Sequence, residues 1–348
     1  MRHRSLLISA LALLSLAAPA AASAAPSTGA VVFSKSSTVE GVAKGGLFAV
    51  RSGHLNQLTE NPSDTEPAFS PDGRTIAFGR AGDIYSVRPD GSGQRQLTSG
   101  APLDSAPIVS PDGKRVVFER RAAEGVAADL YSVRALGGGL HALTSGSADD
   151  HQADFSPDGK AIVFVRDNGT PANTKEDLYS ILPSGAHLAR LTRTEGIDEF
   201  KPRYFAGGIL FSRGESSEGP AAYADVYTMR GNGSKVKPLV AGVGSAYVED
   251  VTPDGHTLLF RRDQGLWSKR IGPGKARKLA QLPDGSKTNG VFSSDGRRVA
   301  AFVAAEEKQS LVAIDVASRR QTQLAEGFEA SEKDGTVIGP VIAWQPVR

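Results

Sequence analysis

Residues 69–98 read FSPDGRTIAFGRAGDIYSVRPDGSGQRQLT, and this stretch decides the fold. After the lead-in EPAFS comes a turn, PDG, then the apolar run RTIAFGR, a second run DIYSVR, another turn, PDGSG, and a closing segment QRQLTS. Pro fixes φ at the second turn position, Asp can bond its neighbouring backbone, and Gly accepts a positive φ, so each such turn suits a tight reversal between strands. The runs between turns are rich in Val, Ile, Phe and Tyr, which pleated structure favours.

The same turn recurs as VSPDG at 109–113, FSPDG at 155–159 and VTPDG at 251–255. A second marker recurs with it, a Leu-Thr dipeptide closing the unit at Leu58-Thr59, Leu97-Thr98, Leu143-Thr144 and Leu191-Thr192, with Leu239-Val240, Leu279-Ala280 and Leu324-Ala325 as weaker copies. These seven markers stand 39 to 48 residues apart. Four short strands per unit at that period, without helical periodicity, indicate blades packed around an axis. A sandwich also has evenly spaced strands, but it does not require the same turn and the same strand-end chemistry at a fixed period. Several second strands, RVVFE, AIVFV and TLLFR, are apolar on both faces, as strands between stacked sheets should be.

The ends of the chain fit a closed ring. Residues 29–34 (GAVVFS) resemble a second strand with no first strand before it, and residues 341–346 (VIAWQP) align with 67–71 (PAFSP). Pairing them in one blade removes two exposed edges. The expected fold is therefore an all-β, seven-bladed β-propeller of four-stranded antiparallel blades, spanning 29–348. The blades fall at about 337–346 plus 29–59, then 67–98, 107–144, 153–192, 201–240, 247–280 and 291–325.

Residues 1–24 are expected to be removed as a signal peptide. Arg2 and Arg4 precede an apolar run from Leu6 to Leu16, and Ala22 and Ala24 satisfy the small-residue rule for cleavage after Ala24. Loss of those two arginines leaves 38 Lys and Arg against 38 Asp and Glu, a net charge of zero, so the nominal pI gives no ground for a nucleic-acid partner. The chain has no Cys, which removes the acceptor for an N-terminal lipid and any disulfide staple. More than 300 residues can bury enough apolar surface without staples. No later segment approaches the length needed to cross a membrane. The expected product is exported, periplasmic or secreted, not inserted in a membrane, and monomeric.

The repeats resemble those of the TolB-like β-propeller family, on residues such as 69–98, and the resemblance covers essentially all of the mature chain. It implies a module that serves as a protein-binding platform or as the non-catalytic domain of a peptidase.

Alternation of strands puts the 1–2 and 3–4 turns on one face of the ring and the 2–3 loops and inter-blade links on the other. The first set is short and uniform. The second varies in length and is acidic: Asp64, Glu66, Asp104, Asp149, Asp150, Asp198, Glu199, Glu249 and Asp250, with Asp284, Glu332 and Asp334 further on. Carboxylates gathered at a channel mouth would attract a basic protein or peptide. No cofactor is required, and calcium is the cation such oxygens would suit. The alternative is that each acid is solvated or bonded to local backbone.

Arg80, Arg120, Arg166, Arg213 and Arg262 each follow the last Phe of strand two by two residues, and Asp83, Asp129, Asp177 and Asp225 open strand three. Ion pairs across that hairpin are the expectation. For catalysis there is no Gly-x-Ser-x-Gly elbow. His54, His141, His187 and His256 belong to the uniform face, leaving His151 as the one mouth histidine and a hydrolase or lyase of envelope material as the alternative function.

Overall fold

The computed structural model describes residues 29–39, 42–169, 176–214, 223–242, 244–282, 290–305, 308–328 and 337–346. The leader at 1–24 and the acids Asp284, Glu332 and Asp334 lie outside them. The described residues form seven four-stranded antiparallel sheets and no helix. Blade two is typical: Asp64–Phe69, Ile76–Arg80, Asp83–Val87 and Arg95–Gln96 pair in sequence order from first to fourth strand.

Blade one joins the two ends of the chain. Val337–Trp344 pairs antiparallel with Val31–Val39, with Val31 opposite Trp344 and Phe33 opposite Ile342. The Gln345 N–H donates to the Ala30 carbonyl at 2.7 Å, and the Trp344 indole N–H to the Gly29 carbonyl at 3.1 Å.

Strand two explains its own composition. In Ile162–Asp167, Ile162 and Phe164 pack with Val117 and Leu130 of blade three, while Val163 and Val165 pack with Ile209 and Phe211 of blade five. Both faces are therefore buried, each against a different neighbour. The core is divided into seven such slabs, and the one that joins Ala300 and Phe302 of blade seven to Val31, Phe33 and Trp344 of blade one closes the ring. Each blade contributes one fully buried strand-two phenylalanine: Phe33, Phe78, Phe118, Phe164, Phe211, Phe260 and Phe302.

Both sequence markers have a bonding reason. In the first turn the Ser70 hydroxyl donates to Asp72 Oδ1 at 2.6 Å and accepts the Thr75 N–H at 2.9 Å, while Asp72 Oδ1 accepts the Arg74 N–H at 3.0 Å. Gly73 then takes φ 68°, where a side chain would be strained. Ser110 with Asp112, Ser156 with Asp158, Thr252 with Asp254 and Ser293 with Asp295 repeat the arrangement. In the closing dipeptide the threonine hydroxyl accepts a strand-three N–H: Leu47 to Thr59 at 2.8 Å, and Ile84 to Thr98, Leu130 to Thr144 and Leu178 to Thr192 at 2.9 Å. A fourth strand of two residues, as in Arg95–Gln96, gains an extra tie to its sheet from this hydroxyl.

Candidate functional site

The strand-two arginines do not pair with the aspartates that open strand three. Asp83 lies opposite Arg80 in register, yet so does Asp64 on the other side, and the guanidinium turns to Asp64. Its plane lies over the rings of Phe78 and Tyr85, 5.1 and 4.8 Å from their centroids, which directs its donor edge toward strand one. Arg80 Nε and Nη2 then donate to the two Asp64 oxygens at 2.5 and 2.8 Å. The same clip joins Arg120 to Asp104 at 2.6 and 2.7 Å, and Arg166 to Asp150 at 2.6 and 2.7 Å. In blade five Arg213 Nε donates to Glu199 at 3.0 Å. The strand-three acids take other partners: Asp83 accepts from Gln96 at 3.0 Å, and Asp177 pairs with Arg190 at 2.5 Å.

The acids expected in the links therefore belong partly to the sheets. Asp64, Asp104, Asp150 and Glu199 sit at or next to the first residue of strand one and are 0 to 3 % exposed. Their charge is spent on arginines inside the blades. The signal was present in the chain, since three of these pairs are separated by the same 16 residues. In blade six Ala246 stands opposite Arg262, which lies instead 3.9 Å from the Trp267 ring centroid.

The inner strands of blades two to five each carry a bulge, where Glu66, Ala106, Gln152 and Lys201 adopt φ near +50°. A left-handed non-glycine residue costs about 1 kcal/mol or more, so something must hold it. The preceding blade supplies the clasp: Glu66 accepts the Ala106 N–H at 2.7 Å, Glu119 the Gln152 N–H at 2.9 Å, and the Gln152 side chain the Lys201 N–H at 2.6 Å. Bulges re-aim side chains at barrel and sheet rims.

Among the described residues around the bulges of blades two to four, carboxylates outnumber cations. Arg121 lies 3.6 Å from Glu119 and 2.8 Å from Asp149, and His151 Nε2 lies 3.6 Å from Glu176. Asp149 also accepts the Ala128 N–H at 2.8 Å, and Asp198 the Glu176 N–H at 3.1 Å. Burial pushes Glu119 above the usual carboxylate range despite the Gln152 N–H, and Glu66 adds to the rise. Burial alone would lower the His151 pKa, but Glu176, Glu119 and Asp149 outweigh it and hold the ring above its ordinary value. His151 Nδ1 is buried and has no hydrogen-bond partner among the described residues.

Across the channel, Glu249 lies 3.3 Å from Lys201 Nζ and 3.7 Å from Arg261 Nε. Asp250 accepts the N–H groups of Val251 at 2.8 Å and Phe292 at 2.7 Å. Burial pushes its pKa up to about 6, against the pull of those N–H groups and of Arg203. Among the described residues no three His, Asp or Glu side chains are grouped closely enough to hold a metal ion. No described helix is long and apolar enough to cross a membrane.

A family model of the TolB beta propeller domain matches residues 15–199, just over half of the chain. No curated protein matches it in sequence. Among solved structures, an oligogalacturonate lyase from Vibrio parahaemolyticus superposes with a TM-score of 0.64 at 13% identity, covering 80% of this chain and 87% of the lyase. TolB from Acinetobacter baumannii gives 0.55 at 16%, covering 91% of this chain and 82% of TolB. A puromycin-hydrolysing peptidase from Mycobacterium tuberculosis gives 0.61 at 14%, covering 84% of this chain and 53% of the peptidase. At such identities the likeness is one of fold, shared by proteins of different activity.

Proposed function

The chain belongs to the TolB β-propeller domain family, and we propose that it is an exported, non-catalytic scaffold that binds a protein or peptide of basic character at its channel mouth. One observation carries this reading: among the described residues Glu119, Asp149 and Glu176 act on His151, Glu119 and Asp149 share Arg121, and Glu66 lies beside Glu119. An excess of carboxylates at a concave, partly desolvated rim attracts a Lys- or Arg-bearing segment more strongly than the same charges spread over a flat surface. The acids clipped to Arg80, Arg120, Arg166 and Arg213 are not part of this surface.

The test compares wild type with the double variant Asp149→Asn, Glu176→Gln by fluorescence anisotropy of a Lys/Arg-rich peptide at low ionic strength, and by capture from envelope extract with and without chelator. The double variant should bind the peptide about 10-fold more weakly, from the loss of two partly desolvated charge contacts. Equal binding removes the mouth from the reading, and loss of capture with chelator alone assigns a role to calcium.

His151 favours one second reading, an envelope hydrolase or lyase at the same mouth. A largely buried imidazole whose Nδ1 has no hydrogen-bond partner among the described residues, acted on by Glu176 and Glu119, has the make-up of a proton-transfer group. Turnover of an envelope polymer that disappears in His151→Gln, while peptide binding persists, would select it.

A further inference from the structure

The opposite face of the ring carries a second charged feature, of the other sign. The hairpins between strands three and four of blades five and six, residues 230–237 and 269–278, contain eight Lys and Arg and no carboxylate. Blade two has Asp90 at the corresponding turn, and blades three and four have Gly-rich and Ser-Gly turns there. Between the two basic hairpins lies a cleft of about 570 Å³. Its volume is within the range of roughly 300 to 1,000 Å³ that ligand sites occupy.

The cleft is amphipathic. Phe205, Leu239 and Ile271 form an apolar lining continuous with the core between blades five and six, and Met229 adds a residue from the core between blades four and five. Arg230, Lys235, Lys237 and Lys269 stand around it, and among the described residues no lining residue is acidic. Lys269 is held in place, donating from Nζ to the carbonyls of Gly272 at 3.0 Å and Gly274 at 2.8 Å. None of the four cations makes an ion pair among the described residues. Like charges around one opening repel each other, and an anionic occupant relieves that repulsion while its apolar part covers the lining.

We propose that this cleft docks an acidic peptide segment carrying one large apolar side chain between its carboxylates. The lining decides the class of partner. A nucleic acid or polyanionic chain would satisfy the lysines and leave the apolar floor in water, and Phe205 is the single aromatic ring available for stacking a base. A peptide places a hydrophobic anchor and flanking carboxylates within one short segment. The site is at the other end of the blades from the channel mouth, so the two can be occupied together.

The test uses the mature protein and a fluorescein-labelled peptide with a central phenylalanine flanked on both sides by glutamates, titrated by anisotropy at low ionic strength. Wild type should bind, and Lys235→Glu, Lys237→Glu, Lys269→Glu together should weaken binding about 30-fold, each reversal replacing a favourable exposed contact by a repulsive one. Replacing the peptide's phenylalanine by glycine should weaken binding about 10-fold through the lost apolar burial. The Asp149→Asn, Glu176→Gln protein should bind the acidic peptide as wild type does. Three results overturn the proposal: no binding by wild type, undiminished binding by the triple variant, or equal binding of the glycine peptide. Tighter binding of a single-stranded oligonucleotide or of anionic phospholipid vesicles than of the peptide also overturns it. Lys235 and Lys237 are exposed and Lys269 is partly so, and a retained cooperative melting transition confirms that the triple variant is folded.

Discussion

Substituting Asp150→Asn tests whether the acids at the start of strand one hold the blades together or serve a ligand. Asp150 is fully screened from solvent and accepts two hydrogen bonds from Arg166, at 2.6 and 2.7 Å. The guanidinium is stacked 5.6 Å from the Phe164 centroid and 5.1 Å from that of Tyr179, so it cannot easily turn elsewhere. An amide of the same shape keeps one acceptor, sets an N–H₂ against an arginine N–H, and leaves a cation without its counter-charge. Removing one partner of a buried pair costs roughly 3 to 5 kcal/mol, and the 11% exposure of the Arg166 side chain places this case near 3. At about 2 °C per kcal/mol for a chain of this length, the melting temperature should fall by roughly 6 °C. Calorimetry on wild type, Asp150→Asn, Arg166→Met and the double variant completes a cycle, in which the double should lose about 2 kcal/mol less than the sum of the singles. A fall of under about 0.5 kcal/mol for Asp150→Asn, or an additive cycle, would refute the argument.

Three further outcomes are expected. The folded pKa of Asp250, about 6, lies above its ordinary 3.8, so its contribution to stability is fully present below the unfolded value and is lost as pH rises through about 6. Asp250→Asn removes that loss, and urea unfolding should show the variant gaining roughly 2 to 3 kcal/mol on wild type between pH 3.5 and pH 7. Thr144→Val deprives the buried Leu130 N–H of its acceptor and should cost about 1 to 2 kcal/mol by urea denaturation, with the chain still folded. If the leader is removed as its residues indicate, intact-mass measurement of the exported protein will place the first residue at Ala25; retention of residues 1–24 would refute this.

The fold was legible because its repeating parts are bonded within a few residues of each other. Ser70 and Asp72 make their turn locally, and Thr98 closes on Ile84 within one hairpin. Phe78 and its equivalents announce a buried second strand by composition alone. The acids were legible as a group and not in their roles. Asp64 and Arg80 meet across a hairpin, and sequence order alone favoured the nearer Asp83, while the stacking on Phe78 and Tyr85 that decides the matter needs three strands in place. The clasp from Glu66 to Ala106 spans 40 residues and depends on a bulge whose positive φ falls on a glutamate, with no glycine to mark it. The basic cleft escaped because a balanced total charge conceals lysines concentrated on two hairpins.

Gly29 and Gln345 are neighbours in space, tied through Ala30 and Trp344. A circularly permuted gene that joins residue 346 to residue 29 across that seam and opens at a surface hairpin should therefore rebuild the same annulus. Such rearranged proteins would let a reporter be tethered beside either opening without displacing a single blade.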